Sequence, residues 1–267
     1  MTYQTRNIIS NILLFLEAIL LFSIIILFSF KLAFNKNTVI KKMDKTNYYE
    51  NLYNETLDNM KYITKKSGFY PIILEETFNI EDIKRDSNKY VESIFKNEKI
   101  EINIETLKEN IETNLDEYLK EKNIEIESKK KSEYINKITT TYKNEIRLMK
   151  QYNEIGKDIN RYNKLSSTLL ILFIIDLIIL LIINKKVFKK KEYYILFFTS
   201  ALSLLITNIC ISKILKQLYI YNNSITDVLK LVIKKGIHIN LLFVIILLGL
   251  GILTNKYIKE EKIEIYE

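Results

Sequence analysis

The chain has 267 residues, with 40 Lys+Arg against 32 Asp+Glu, a formal net charge of +8, 5 Gly, 1 Pro, no Trp and 1 Cys. So few turn-forming residues disfavour a many-stranded sandwich or barrel, and one cysteine excludes an internal disulfide. No Cys/His cluster, phosphate-binding glycine loop or nucleophile elbow is present, so the reading expects no enzyme, no metal and no cofactor.

The first apolar block is residues 8–30, interrupted by Asn11, Glu17 and serines. It reaches the roughly 20 residues that a helix needs to span hydrocarbon. It is too long for a signal-peptide core and is followed by no clean cleavage site, so it reads as an uncleaved anchor.

Residues 35–165 carry a net charge of about +1, which leaves about +7 in and beside the apolar blocks. That distribution suits lysines facing anionic lipid rather than a nucleic-acid surface. Within this stretch Tyr49, Leu52, Tyr53, Leu57, Met60 and Ile63 recur at helical spacing, and Gly68 and Pro71 supply a stop. Ile80, Ile83, Val91, Ile94 and Phe95 form a second amphipathic run, with Asn79 as its cap. Ile104, Leu107, Ile111, Leu115 and Leu119 form a third, ending near Asn123; the alternation of Ile100, Ile102 and Ile104 also fits a short strand. The tyrosines read as core or interface residues, and the carboxylates, Asp86 among them, as a solvated face interleaved with lysine.

A further stripe holds Ile135, Ile138, Tyr142, Ile146, Met149, Tyr152, Ile159 and Tyr162, and no turn signal separates it from the second apolar block. The expectation is one long helix over 132–184, weakest at Gly156. The second block is 166–184, the third 193–212 and the fourth 237–254. Cys210, inside the third block, reads as a small buried hydrophobe. Ser224, Ile225, Thr226 and Asp227 resemble a capping box opening a short separate helix, with Lys234, Lys235 and Gly236 closing it.

The loop 185–192 is short and holds five lysines, which places it in the cytoplasm by the positive-inside rule. The organisation expected is therefore all-α: 1–34 a cytoplasmic N-terminus and first span; 35–165 an extracytoplasmic helical domain, with the second span continuing into it; 166–254 three further spans around the inner loop 185–192 and an outer loop 213–236; and 255–267 a cytoplasmic tail. The setting would be a plasma membrane, and the abundance of Lys, Ile, Asn and Tyr suggests a low-GC bacterium.

Two ionisable residues, Glu17 and Asp176, fall inside apolar blocks, where such groups are costly and commonly functional. Glu17 lies roughly 13 Å past Ile8, and Asp176 roughly 12 Å before Asn184, at about 1.5 Å per residue. The topology puts them at nearly one depth, which makes them a candidate proton-sharing pair. The other reading is that each separately bonds a serine or threonine between helices.

Asn47-Tyr48-Tyr49-Glu50-Asn51-Leu52-Tyr53, Gly68 and the run from Ile80 to Asn88 resemble a loose group of bacterial four-span membrane proteins with a helical domain after the first span. That group has no assigned activity, so the resemblance implies a layout and no site residues. The first span, helical domain and second span also look like a bacterial chemoreceptor sensor, but no cytoplasmic signalling helices follow. The functional expectation is a non-enzymatic membrane protein whose outer domain binds or senses a partner or envelope component. The alternative is a transporter or channel subunit using the Glu17 and Asp176 carboxyls. The partners expected are the lipid bilayer and a second copy or another membrane protein, with no nucleic acid.

Overall fold

The computed structural model describes the backbone of residues 3–264 except 97, 99–101, 148, 188–192 and 220–222, and side chains outside 3–7, 149–157, 184–187, 223 and 258–264. Among the described residues all regular structure is helical. The helices are α1 (Tyr3–Ala33), α2 (Lys36–Met43), α3 (Tyr48–Lys66), α4 (Ile80–Lys96), α5 (Glu105–Glu121), α6 (Ser128–Ile146), α7 (Met149–Val187), α8 (Tyr193–Gln217) and α9 (Asn223–Glu264), with a 3-10 turn at Pro71–Leu74. Residues 102–104, part of the alternation that also fitted a short strand, carry no regular structure. Ile102 is instead buried without a ladder partner, and its neighbours 99–101 lie outside the described residues.

Four of these helices contain stretches long and apolar enough to cross a membrane: Ile8–Ala33, Asp158–Ile183, Tyr193–Gln217 and Ser224–Tyr257. The chain divides into two compact units, one made of Met1–Asn35 with Tyr162–Glu267, the other of Lys36–Arg161. The division falls inside α7, so the helix that holds the second apolar stretch belongs to both.

In the first unit α8 and α9 pack along each other and α1 packs against both. Their common core is Ile25, Ala201, Leu204, Val244 and Leu247, flanked by Phe22, Phe197 and Phe243. The expected short helix after Asp227 is not separate: α9 runs unbroken through Gly236. A glycine inside a helix costs only about 1 kcal/mol relative to alanine. Here it has a packing role, since a Cβ at Gly236 would stand 2.8 Å from two ring atoms of Phe30 on α1. Cys210 is exposed, not buried as its residue type suggested. The inward face of α8 is Leu196, Ser200, Ala201, Leu204, Asn208 and Leu215, and Cys210 falls off that face.

The second unit buries Met60, Ile83, Ile111, Leu115, Ile138 and Ile146 almost completely, together with Tyr134 and Tyr142. Helix α3 ends where expected. Gly68 takes φ +82°, a left-handed conformation that glycine adopts without strain, and Pro71 opens the 3-10 turn. Asn79 caps α4 reciprocally: the Asp82 amide donates to Asn79 Oδ1 at 3.0 Å, and the Asn79 amide donates to Asp82 Oδ2 at 3.1 Å.

The long helix expected over 132–184 is instead two helices. Helix α6 stops at Ile146 and α7 starts at Met149, while Gly156 lies within α7. No proline or glycine marks the break. Glu145 and Ile146 are buried in the unit's core, Arg147 forms a turn, and Leu148 lies outside the described residues. The second apolar stretch does continue N-terminally as a long helix, to Met149 rather than to Ser132.

Candidate functional site

The helical unit Lys36–Arg161 contains a polar cleft of about 230 Å³ between α4, α5 and α6. Helix α4 supplies its charged wall. Asp82, Arg85, Asp86 and Lys89 recur at three- and four-residue spacing and therefore share one side of the helix. Opposite them stand Asn103, Thr106 and Asn110, and Tyr142 of α6 contributes to the lining.

Asp86 is the centre of this wall and is 4% exposed. It accepts a hydrogen bond from the Tyr142 hydroxyl at 2.8 Å and one from Arg85 Nε at 3.0 Å. Arg85 also donates to Asp82 at 2.8 Å, so one guanidinium bridges two carboxylates. A buried carboxylate is tolerable only with such partners. Burial, the neighbouring charge of Asp86 and the hydrogen bond to it hold the Tyr142 hydroxyl protonated well above the ordinary phenol range. Asn110 is fixed by donating to the Thr77 carbonyl at 3.1 Å. Lys89 and Thr106 are exposed at the cleft and make no hydrogen bond or ion pair among the described residues. The cleft thus combines an immobilised acid–guanidinium–phenol network with an uncommitted cation and hydroxyl, which suits recognition of a polar ligand.

Sequence reading placed Asp86 on a solvated face, and the structure corrects this. The signal was available: Asp86 lies in register with Ile83, Ser87, Tyr90 and Val91, the buried face of α4. The tyrosines fall largely in the core, with Tyr48, Tyr49, Tyr90, Tyr118, Tyr134 and Tyr142 all buried. Burial pushes the Tyr134 hydroxyl up to about 12, while its 2.9 Å hydrogen bond with Thr64 acts the other way.

The two intramembrane carboxyls lie in different surroundings. Glu17 is fully buried on α1 and feels Tyr193 of α8 electrostatically. One residue along, Ser200 Oγ donates to the Ala18 carbonyl at 3.2 Å. Asp176 is exposed on α7. The structure does not bring the two together within one chain. A polar pair that the sequence reading missed lies nearby: Asn208 of α8 and Asn240 of α9, both buried and hydrogen-bonded to each other at 3.1 Å. The lysine-rich loop that set the expected orientation lies, over 188–192, outside the described residues.

Four apolar helices and a separate helical unit define the class, an all-helical integral membrane protein. Compared with protein-family models, curated proteins and solved structures, the chain matches none.

Proposed function

We propose that the chain is a multi-pass membrane protein whose unit Lys36–Arg161 lies outside the cytoplasm and binds a polar component of the envelope in the α4–α5–α6 cleft. The observation that carries this reading is the wall of Asp82, Arg85 and Asp86, locked by Tyr142, beside the uncommitted Lys89 and Thr106. Rigidly held polar groups around a concave space are what orient a ligand. Lys89 supplies the attraction for an anionic group, and the fixed network supplies geometry. The orientation follows from the five lysines of 185–192.

A photo-crosslinking residue at Thr106, in the full chain in intact cells, should capture a discrete adduct that Lys89→Glu diminishes. The same residue at Thr141, on an open surface of α6, serves as the control. Equal capture at the two positions, or capture indifferent to Lys89, would reject the cleft as the binding site. Orientation is checked separately, in a Cys210→Ser background. An impermeant thiol reagent should label Asn79→Cys on intact cells and leave Tyr257→Cys unlabelled, and the reverse pattern would invert the topology.

A further inference from the structure

Three polar atoms of the α1–α8–α9 bundle are buried with no hydrogen-bond partner among the described residues: Ser29 Oγ of α1, Asn208 Nδ2 of α8 and Asn240 Oδ1 of α9. Their residues are 0%, 4% and 0% exposed. A polar group left unsatisfied is costly in any protein interior, and inside a membrane bundle bulk water is no remedy. A serine in a helix has a simple escape, a bond to the carbonyl one turn before it. Ser167 of α7 takes it, donating to the Asn163 carbonyl at 2.7 Å, and Thr254 of α9 does the same to Leu250 at 2.8 Å. Ser29 does not, and its hydroxyl stays turned to the interior of the bundle.

The three residues lie in one layer. Ile25, Leu204 and Val244 meet in the apolar core of the bundle. Ser29 is four residues after Ile25, Asn208 four after Leu204, and Asn240 four before Val244 on the antiparallel α9, so all three stand one helical turn along from that core. The side contacts agree. The ring of Phe28 meets that of Phe243, and the ring of Phe30 covers Gly236, so Ser29 between them faces the turn of α9 that carries Asn240. Asn240 in turn is bonded to Asn208. The layer is closed on one side by the apolar core, and on the other Ala33 and Val232 are fully buried.

We propose that Ser29, Asn208 and Asn240 form a binding site for a single water molecule sealed between the three membrane helices. The water accepts from Asn208 Nδ2 and from the Ser29 hydroxyl and donates to Asn240 Oδ1, which gives it about the three bonds usual for an enclosed water. The chemistry of the open groups selects this ligand. The amide N–H of Asn208 repels a cation, and the carbonyl oxygen of Asn240 repels an anion. A neutral molecule that both donates and accepts satisfies the two together, and water is the smallest. Exchanging oxygen and nitrogen in both amides preserves their mutual bond and still leaves one donor and one acceptor open, so the requirement does not depend on which way the amides face. Bound there, the water ties α1 to the Asn208–Asn240 pair, to which no direct hydrogen bond from Ser29 connects it.

The test uses the full native chain in liposomes, isotope-labelled at asparagine, and solid-state NMR transfer of magnetisation from water. The side-chain amide signals of Asn208 and Asn240, identified as those lost in Asn208→Leu and Asn240→Leu, should receive magnetisation from water. An aqueous paramagnetic chelate, which reaches bulk water only, should leave that transfer intact. Ser29→Ala should weaken it while both amide signals persist. Stability supplies a second readout whose sign separates a shared water from three groups that are merely unpaired. Removing a hydroxyl that bonds a water should lower Tm in detergent by roughly 2–4 °C, whereas removing an unpaired one would raise it. In the Asn240→Leu background Ser29→Ala should cost little, because the site is already broken. No transfer from water, transfer abolished by the chelate or indifferent to Ser29→Ala, a Tm that rises in Ser29→Ala, or strictly additive losses would each overturn the proposal.

Discussion

Asn240 on α9 donates from Nδ2 to Oδ1 of Asn208 on α8 at 3.1 Å, in an interface where both side chains are buried. The other halves of the two amides, Asn208 Nδ2 and Asn240 Oδ1, have no hydrogen-bond partner among the described residues. One bond therefore holds two buried amides, and either substitution alone strands what remains. Asn240→Leu or Asn208→Leu should each destabilise the protein by about 0.5–2 kcal/mol in detergent. The double substitution should recover most of that loss, because it removes both orphaned amides at nearly constant volume. Thermal unfolding of the four proteins measures the cycle, and additive losses would contradict a direct bond.

Tyr142 and Asp86 form the buried bond on which the cleft depends. Tyr142→Phe keeps the ring and removes the donor, leaving Asp86 with Arg85 alone. Loss of a hydrogen bond to a charged group costs about 1.5–3 kcal/mol, so a shift of several degrees in Tm is expected. Arg85, by contrast, is 53% exposed in its side chain, and solvent screens its ion pair with Asp82. Arg85→Gln should cost less than Tyr142→Phe.

Glu145 gives the helical unit a pH dependence of unusual sign. Burial raises its carboxyl above the ordinary range, the hydrogen bond from Asn59 Nδ2 at 3.0 Å opposes this, and the negative charge of Glu55 adds to it. A raised value means that the folded state binds the proton more tightly than the unfolded chain. The favourable contribution is complete below the ordinary glutamate range and is lost as pH rises through the folded value. Glu92, lowered by its hydrogen bond and ion pair with Lys36, slopes the opposite way, so only a difference isolates Glu145. Glu145→Gln keeps an acceptor for Asn59. Relative to the native chain it should gain stability with rising pH above the ordinary carboxylate range, as read by Tm at a series of pH values. A pH-independent difference would show that Glu145 titrates alike in both states.

The sequence disclosed the four apolar stretches because hydrocarbon thickness imposes a length that composition alone reveals. It disclosed the start of α4 because Asn79 and Asp82 have the side chains that a reciprocal cap needs. It did not disclose that α6 ends at Ile146 and α7 begins at Met149, since 145–150 contains no residue that stops a helix. Nor did it disclose the continuity of α9, because the glycine that looked like a terminator is the point where Phe30 approaches. For the cleft, the charges were visible. That Asp86 turns inward was legible from its register with Ile83, Ser87, Tyr90 and Val91, whereas its bond to Tyr142 depends on the packing of α6. The depth argument for Glu17 and Asp176 ordered them along the membrane normal but carried no information on which way each helix turns.

Gly236 offers a direct check on that packing. Alanine there would place Cβ 2.8 Å from Phe30 ring atoms, and overpacking of this kind costs about 1–3 kcal/mol. Gly236→Ala should lower Tm accordingly, and Phe30→Leu should restore part of the loss in the double variant while destabilising the native background. Gly249→Ala, where a Cβ would meet nothing within 4 Å, should be neutral or slightly stabilising through helix propensity.

The close approach of Phe30 to Gly236 has a counterpart further along α9, where a Cβ on Gly251 would come within 3.1 Å of Phe198 on α8. The two glycines are 15 residues apart, roughly 22 Å of helix, and each receives a ring from a different neighbour. A screw motion of α9, by rotation or by sliding, would have to withdraw both rings at once. The α1–α8–α9 assembly is therefore indexed in angle and in height, as a shaft is by two keys.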